Sequence, residues 1–350
     1  MKNKILFITG SLNQTAQMHQ ICRFLPEFDC WFSQVFSDTK TSEFLLKRTT
    51  MLDKTVMAGQ FRENTERYLR QHGLQIDYKA LKNKYDLVVF CSDMVVPPRL
   101  QSAKTIWVQE GMIDRLNFAA RVVKTFNLPI WMAGNTSLNG STNLCDIYCA
   151  ASNGYREALV KMGAQRKRIL VTGMPNYDNL QRFADNNFPH RDYVMVATSD
   201  MRETFRFENR PAFIKEAAKI ANGRRLLFKL HPNEDFPRAQ REIKRYAPEG
   251  TLLFQSGNTN EMIANCCELI TQYSTVVYTG IALGKKVHSW FDVNELYKLM
   301  PIQNNGTSAE NIANVCRAYL AFNGPGANFL REYDFQPVPS EPLMEELVAV

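Results

Sequence analysis

Two short apolar runs, Arg225–Leu230 and Leu269–Thr271, each read as a buried strand, and each ends in polar chemistry. The first leads into Lys229-Leu230-His231-Pro232 and the second into Thr271-Gln272-Tyr273-Ser274-Thr275. In an open α/β sheet, ligands bind at the carboxyl ends of the strands. A cation and an imidazole at one strand end, with tandem hydroxyls at a helix start on another, make a cradle suited to a diphosphate or phosphodiester. The chemistry implied is the handling of a nucleotide-activated donor.

Each of these residues also has a plain structural reading. Pro232 holds His231 extended, where the imidazole either donates to a phosphate and stabilises a leaving group or satisfies a local carbonyl. Lys229 alternates with His231, so both fall on one side of the strand; otherwise Lys229 is an ion-pair residue. Ser274 and Thr275 suit helix N-caps, a role compatible with phosphate binding because a helix start has free N–H groups. Gln272 and Tyr273 are candidates for base or ribose contact. Arg202, in Asp200-Met201-Arg202-Glu203-Thr204, is a bidentate phosphate clamp or part of a solvated loop. In the first half, Glu110 stands at a strand end beside Gly111. A carboxylate there takes a proton from a hydroxyl if burial raises its pKa; otherwise it is a loop-exposed Glu. Asp114, one turn on, is the fallback. His72, His190 and His288 read as surface or structural residues. No His, Cys, Asp or Glu cluster has metal-ligand spacing, so no metal and no cofactor are expected.

These side chains need a scaffold of alternating strands and helices, and the pattern supplies one almost throughout. In the first half, strands are predicted at Lys4–Thr9, residues 27–37, Asp86–Cys91, Thr105–Val108, Asp146–Ala150 and Ile169–Thr172. Helices are predicted at Thr15–Leu25, Arg62–Gln71 and Gly154–Met162, the last closed by Gly163. The polar stretch Asp185–Arg191 reads as a linker. The pattern then restarts with strands at Tyr193–Thr198, Leu226–Leu230, Thr251–Phe254, Leu269–Thr271 and Lys286–Trp290, and helices at Arg210–Ala221 and Ser308–Phe322. Two doubly wound units result, 1–187 and 188–327, followed by a tail at 328–350.

Composition sets the wider bounds. With 45% hydrophobic and 22% charged residues the 350-residue chain is a core-forming globular protein. The eight cysteines lie mostly inside apolar runs and read as small buried groups in a reducing compartment. No run approaches the ~18 apolar residues of a spanning helix. The expectation is a cytoplasmic protein. A net charge of +7 suits a generic basic surface, anionic substrates, or peripheral contact with the anionic inner membrane leaflet. Nucleic acid is not an expected partner, because the basic runs at Gln165–Arg168, Asn222–Arg225 and Arg238–Arg245 carry no interleaved aromatic platform. The first βα turn, Gly10-Ser11-Leu12-Asn13-Gln14-Thr15, lacks the G-x-G-x-x-G of a dinucleotide fold.

Ile169-Leu170-Val171-Thr172-Gly173-Met174-Pro175-Asn176-Tyr177-Asp178 is similar to a "TG-x-P-x-x-D" stretch, Lys229–Pro232 to "K-x-H-P", and Thr271–Thr275 followed by Ala282–Val287 to "T-D-Y-S-S" and "A-L-G-K-P-V". Together they resemble GT-B glycosyltransferases, in the branch with bacterial CDP-glycerol glycerophosphotransferases, capsule Kdo and sialic-acid transferases, and UDP-N-acetylglucosamine 2-epimerases. Thr105–Gly111 is similar to their "W-H-G" segment, with Glu110 where the His falls. The resemblance covers roughly residues 105–290. It implies two Rossmann-like domains facing across a cleft, an acceptor domain first and a nucleotide-donor domain second, with the tail packing back on the first. It implies donor contacts from His231, Lys229, Ser274, Thr275, Gln272, Tyr273, Arg202, Gly173 and Pro175. Ser11 and Gln14 would face the acceptor, and Glu110, His19 or Asp114 would be the base. The chain departs from the family in two places. The epimerases' Gly-Gly-x-x-Glu-Glu segment is absent, and Thr279 and Gly280 stand where an acidic residue commonly holds a ribose. The expected activity is metal-independent transfer of a sugar, or a related phosphorylated unit, from a UDP-, CDP- or CMP-linked donor to a glycan or lipid-linked acceptor of the cell surface. The alternatives are a 2-epimerase-like enzyme and an inactive GT-B binding subunit.

Overall fold

The computed structural model describes residues 2–38, 59–126, 128, 130–133, 135–203, 206–324 and 326–339. Six parallel strands form one sheet: β1 (Lys4–Thr9), β2 (Asp29–Gln34), β3 (Leu87–Phe90), β4 (Lys104–Val108), β5 (Ile147–Ala150) and β6 (Ile169–Val171), in the order β2-β1-β3-β4-β5-β6. Five parallel strands form the other: β7 (Tyr193–Ala197), β8 (Leu226–Lys229), β9 (Leu252–Phe254), β10 (Cys266–Thr271) and β11 (Lys286–His288), in the order β11-β10-β7-β8-β9. Strands β3, β5 and β7 are buried at every position. Unbroken apolar runs of this kind belong to parallel sheets covered on both faces. Each fully buried Val, Leu or Phe in them contributes about 1.5–3 kcal/mol.

The covering helices are α1 (Leu12–Cys22), α2 (Gly59–Gln71), α3 (Phe118–Thr125), α4 (Asn153–Met162), α5 (Arg210–Ala221), α6 (Phe236–Tyr246), α7 (Thr259–Asn265), α8 (Val277–Ala282), α9 (Val293–Leu299), α10 (Ser308–Ala321) and α11 (Gly326–Glu332). Helix α1 starts three residues before its predicted start, because Ser11 and Gln14 form a capping box at its N-terminus. Gly163 closes α4 in the left-handed conformation, as its sequence position predicts. Helix α6 contains the basic run Arg238–Arg245. Its N-cap is Asp235, with Pro237 in its first turn, and Ala239 and Ile243 are buried.

The chain divides into two compact units, residues 1–178 with 304–350 and residues 179–303. The sequence pattern had placed helix 308–322 at the end of the second half. Instead, Ala309, Ile312, Ala313, Val315, Cys316 and Tyr319 of α10 share a core with Ile5, Phe7, Leu87 and Val89 of the first sheet. Phe329, Tyr333 and Phe335 pack against the same core. Residues 340–350 of the tail lie outside the described residues.

The return of the chain to the first unit is held by Asp178. Its buried carboxylate accepts the backbone N–H of Asn304 and, at 2.6 Å, that of Ser308. Gly173 lies in the same joint with φ +85°, where an added Cβ would run into the Ser308 hydroxyl. Gly173→Ala should therefore destabilise the protein by about 1–3 kcal/mol. Urea unfolding would check this, and an unchanged midpoint would contradict the role given to this joint.

Candidate functional site

In the first sheet, strand order reverses between β1 and β3, which makes their carboxyl ends the place to look for ligand chemistry. There the structure brings together three of the predicted residues: Ser11, Gln14 and Glu110. The Ser11 hydroxyl accepts the Gln14 N–H at 3.2 Å, and the Gln14 side-chain oxygen accepts the N–H groups of Gly10 at 2.8 Å and Ser11 at 3.2 Å. With its oxygen committed to the helix start, the Gln14 amide must point its NH2 away, and it donates to Glu110 Oε2 at 3.2 Å. Burial pushes the Glu110 carboxyl up, and the Gln14 bond only partly offsets this. Cys91, at the end of β3, is buried beside it; burial first and the Glu110 charge second push its thiol up. A carboxyl with a raised pKa at a strand end is suited to giving and taking a proton.

The other candidates in this unit are engaged elsewhere. Asp114 Oδ2 accepts the Thr136 N–H at 3.0 Å and the Thr136 hydroxyl at 2.8 Å, so it anchors a loop. His19 faces α2: Nδ1 lies 3.1 Å from the Tyr68 hydroxyl and its ring meets His72 edge-on at 5.1 Å. Burial, and after it His72 and Arg23, hold its pKa below the usual value. Gly173 and Pro175 belong to the joint with residues 304–308 and the short turn that follows it. Asp93 was not singled out in the sequence. It is buried after β3, accepting Gly140 N–H at 2.7 Å, the Thr142 hydroxyl at 2.6 Å and the Tyr148 hydroxyl at 3.1 Å. These bonds make it the support of the 140–148 segment.

In the second sheet the reversal lies between β7 and β10. The loops after β7, β8 and β10 carry Ser199–Arg202, His231–Glu234 and Gln272–Thr275. His231 has a side chain 38% exposed. Its Nδ1 accepts the Asn233 N–H at 3.3 Å and lies 3.5 Å from Asp200 Oδ2; the shorter contact, in which Nδ1 is the acceptor, goes with a neutral ring that carries its proton on Nε2. Tyr273 is exposed and packs edge-on against Trp290 and Phe291. Ser274 accepts the Val276 N–H at 3.4 Å, and α8 begins only at Val277, so the hydroxyls precede the helix rather than cap it.

Three predicted donor contacts are instead committed to the protein itself. The buried Lys229 ammonium donates to the carbonyls of Leu230 at 3.1 Å and Gln255 at 2.9 Å. Arg202 makes a bidentate pair with Glu242, at 2.8 and 2.9 Å, and approaches Glu208 at 3.1 Å. Gln272 is buried and donates to Glu208 at 2.6 Å. The Thr279 hydroxyl bonds Asn260 at 3.1 Å, and an added Cβ on Gly280 would lie 2.7 Å from a Leu269 methyl. Those two positions pack α8 onto β10 and leave no room for a carboxylate.

The centre of this unit is Arg210, a residue outside the motifs named from the sequence. Its guanidinium is 1% exposed and pairs with Glu208 at 3.0 Å and Glu234 at 2.6 Å, both of which are fully buried at the side chain. A signal for it existed. Arg210 falls on the buried stripe of α5 with Ile214, Ala217 and Ala221, where an apolar residue belongs.

No family model and no curated protein sequence matches the chain. Solved structures do. S. aureus MnaA, in a co-structure with UDP, superposes with a TM-score of 0.58 at 13% identity, over 91% of this chain and 97% of that one. UDP-GlcNAc 2-epimerase from Neisseria meningitidis, bound to UDP-GlcNAc, gives 0.57 at 13% identity, over 90% and 99%. UDP-N-acetylglucosamine 2-epimerase from Rickettsia bellii gives 0.52 at 9% identity, over 91% and 97%. The chain has the GT-B fold. At these identities the likeness is one of GT-B architecture, and both parallel sheets take part in it.

The raised Glu110 pKa has a consequence for stability. Below the unfolded-chain value of about 4.3 the carboxyl is protonated in both states and costs nothing. As pH rises past that value the unfolded chain ionises first, and the folded state loses stability until the folded pKa is passed. The melting temperature of Glu110→Gln should therefore gain on that of the unmodified protein as pH rises above about 4.3. Melting curves across that range that stay parallel would remove the buried-acid assignment.

Proposed function

We propose that the protein acts on a nucleotide-linked sugar, with a UDP-linked N-acetylhexosamine as the leading substrate, and that it exchanges the hydrogen at C2 of that sugar. The observation that carries this reading is Glu110, a carboxyl with raised pKa beyond the end of β4, oriented by Gln14, which follows β1. The GT-B fold, matched along nearly the whole chain to proteins described with UDP or UDP-GlcNAc, supports the substrate class. C2 of such a sugar carries no acidifying carbonyl. Loss of its proton becomes accessible when the C1–O bond to the diphosphate breaks in the same step, because the electron pair of the C–H bond then forms the C1–C2 double bond and the diphosphate leaves with the C1–O pair. Return of UDP to C1, with a proton delivered to the other face of C2, gives the epimer. Glu110 is the group proposed to move a proton. The His231 Nε2–H, with Ser274, is proposed to hold the departing phosphate. Lys229, Arg202 and Gln272 have no direct part in this reading.

A second reading keeps the departure of UDP but hands C1 to an acceptor hydroxyl, with Glu110 as the base. The absence of Gly-Gly-x-x-Glu-Glu from the chain favours it. The two readings separate on one sample. UDP-GlcNAc incubated alone in D2O should give the C2 epimer, with deuterium at C2, by proton NMR. Glu110→Gln should slow this by about 10²–10⁴-fold. Unchanged substrate without an acceptor, together with UDP release when a glycan acceptor is added, would replace epimerisation by transfer.

A further inference from the structure

His231 does not hold its own position. Its backbone N–H donates to Glu234 Oε1 at 3.0 Å and lies 3.2 Å from the Thr198 hydroxyl. The Thr198 hydroxyl in turn donates to the same Glu234 oxygen. The other Glu234 oxygen accepts from Arg210 Nη2 at 2.6 Å. Arg210 reaches Glu208, and Glu208 accepts the Gln272 amide. The Ser199 hydroxyl closes the circuit on the Tyr273 carbonyl at 3.1 Å. The loops that follow β7, β8 and β10 are thus fastened to one buried set of charges. Two oppositely charged partners of Arg210 in a dry interior are costly to assemble, and an apolar core would hold three loops together as well. What an apolar core cannot do is fix the direction of a backbone N–H and the imidazole that follows it.

We infer that Glu234 is a positioning residue for His231. Charge-locked by Arg210, its carboxylate sets the His231 backbone so that Nδ1 takes the Asn233 N–H and Nε2–H is presented outward to a nucleotide phosphate. The inference rests on the nucleotide reading above, and it adds a residue that touches no ligand.

Calorimetric titration of UDP into the unmodified protein, His231→Ala, Glu234→Gln and the double variant tests it. His231→Ala should weaken UDP by roughly 10–100-fold, the loss of one charge-assisted hydrogen bond. Glu234→Gln should weaken it by a similar factor. The double variant should bind no more weakly than His231→Ala, within about twofold, because Glu234 acts through His231. Additive losses would show that Glu234 serves the fold generally, and unchanged affinity in Glu234→Gln would overturn the assignment outright. If Glu234→Gln does not fold, Thr198→Val runs the same cycle from the other anchor of the His231 N–H. UDP binding that is intact in the unmodified protein and weakened by His231→Ala, but indifferent to Glu234 and Thr198, defeats this inference alone. Failure of the unmodified protein to bind UDP defeats the nucleotide reading and the inference with it.

Discussion

A guanidinium in a dry interior must be neutralised, and the second unit is organised around that requirement at Arg210. Removing either partner of such a pair typically costs about 3–5 kcal/mol, because the remaining charge is left buried and unmatched. The two carboxylates that answer it, Glu208 and Glu234, are the same groups that reach the backbone of His231 and the side chain of Gln272. The loops at three strand ends therefore cannot relax independently. This unit has a rigid edge at its topological switch, with an imidazole and a hydroxyl left over for a ligand.

The first unit uses a cheaper device for the same purpose. A single amide, Gln14, completes a helix cap with its oxygen and orients Glu110 with its nitrogen. The helix cap removes the freedom of the amide to flip, and the raised pKa of the carboxyl follows from its burial rather than from a neighbouring charge. Gln14 thus sets the position of the carboxyl, while burial dominates its proton affinity.

Much of this was legible in the sequence, and the losses have physical causes. Strand periodicity and Gly/Pro punctuation located the strands. The alternation of strands and helices located α5 and α10, and Gly163 marked the end of α4. The stripe on α10 says that it is covered but not by which sheet, so its return to the first unit was invisible. Glu110, Ser11 and Gln14 were singled out separately, yet their hydrogen-bonded grouping depends on a turn geometry that spacing alone does not contain. Lys229, Arg202 and Gln272 looked free because their partners Gln255, Glu242 and Glu208 lie on other elements. Arg210 was overlooked because a charge at a helix start reads as solvent-facing, although its place on the buried stripe marked it.

The proposed function places a nucleotide diphosphate at the carboxyl-end loops of the second sheet. Amide hydrogen exchange of the whole chain, with and without UDP, reads out that placement segment by segment. Bound UDP should slow exchange within 198–202, 230–234 and 272–276, with little change at the opposite ends of the same strands. Protection confined to other segments, or none at saturating UDP, would contradict it.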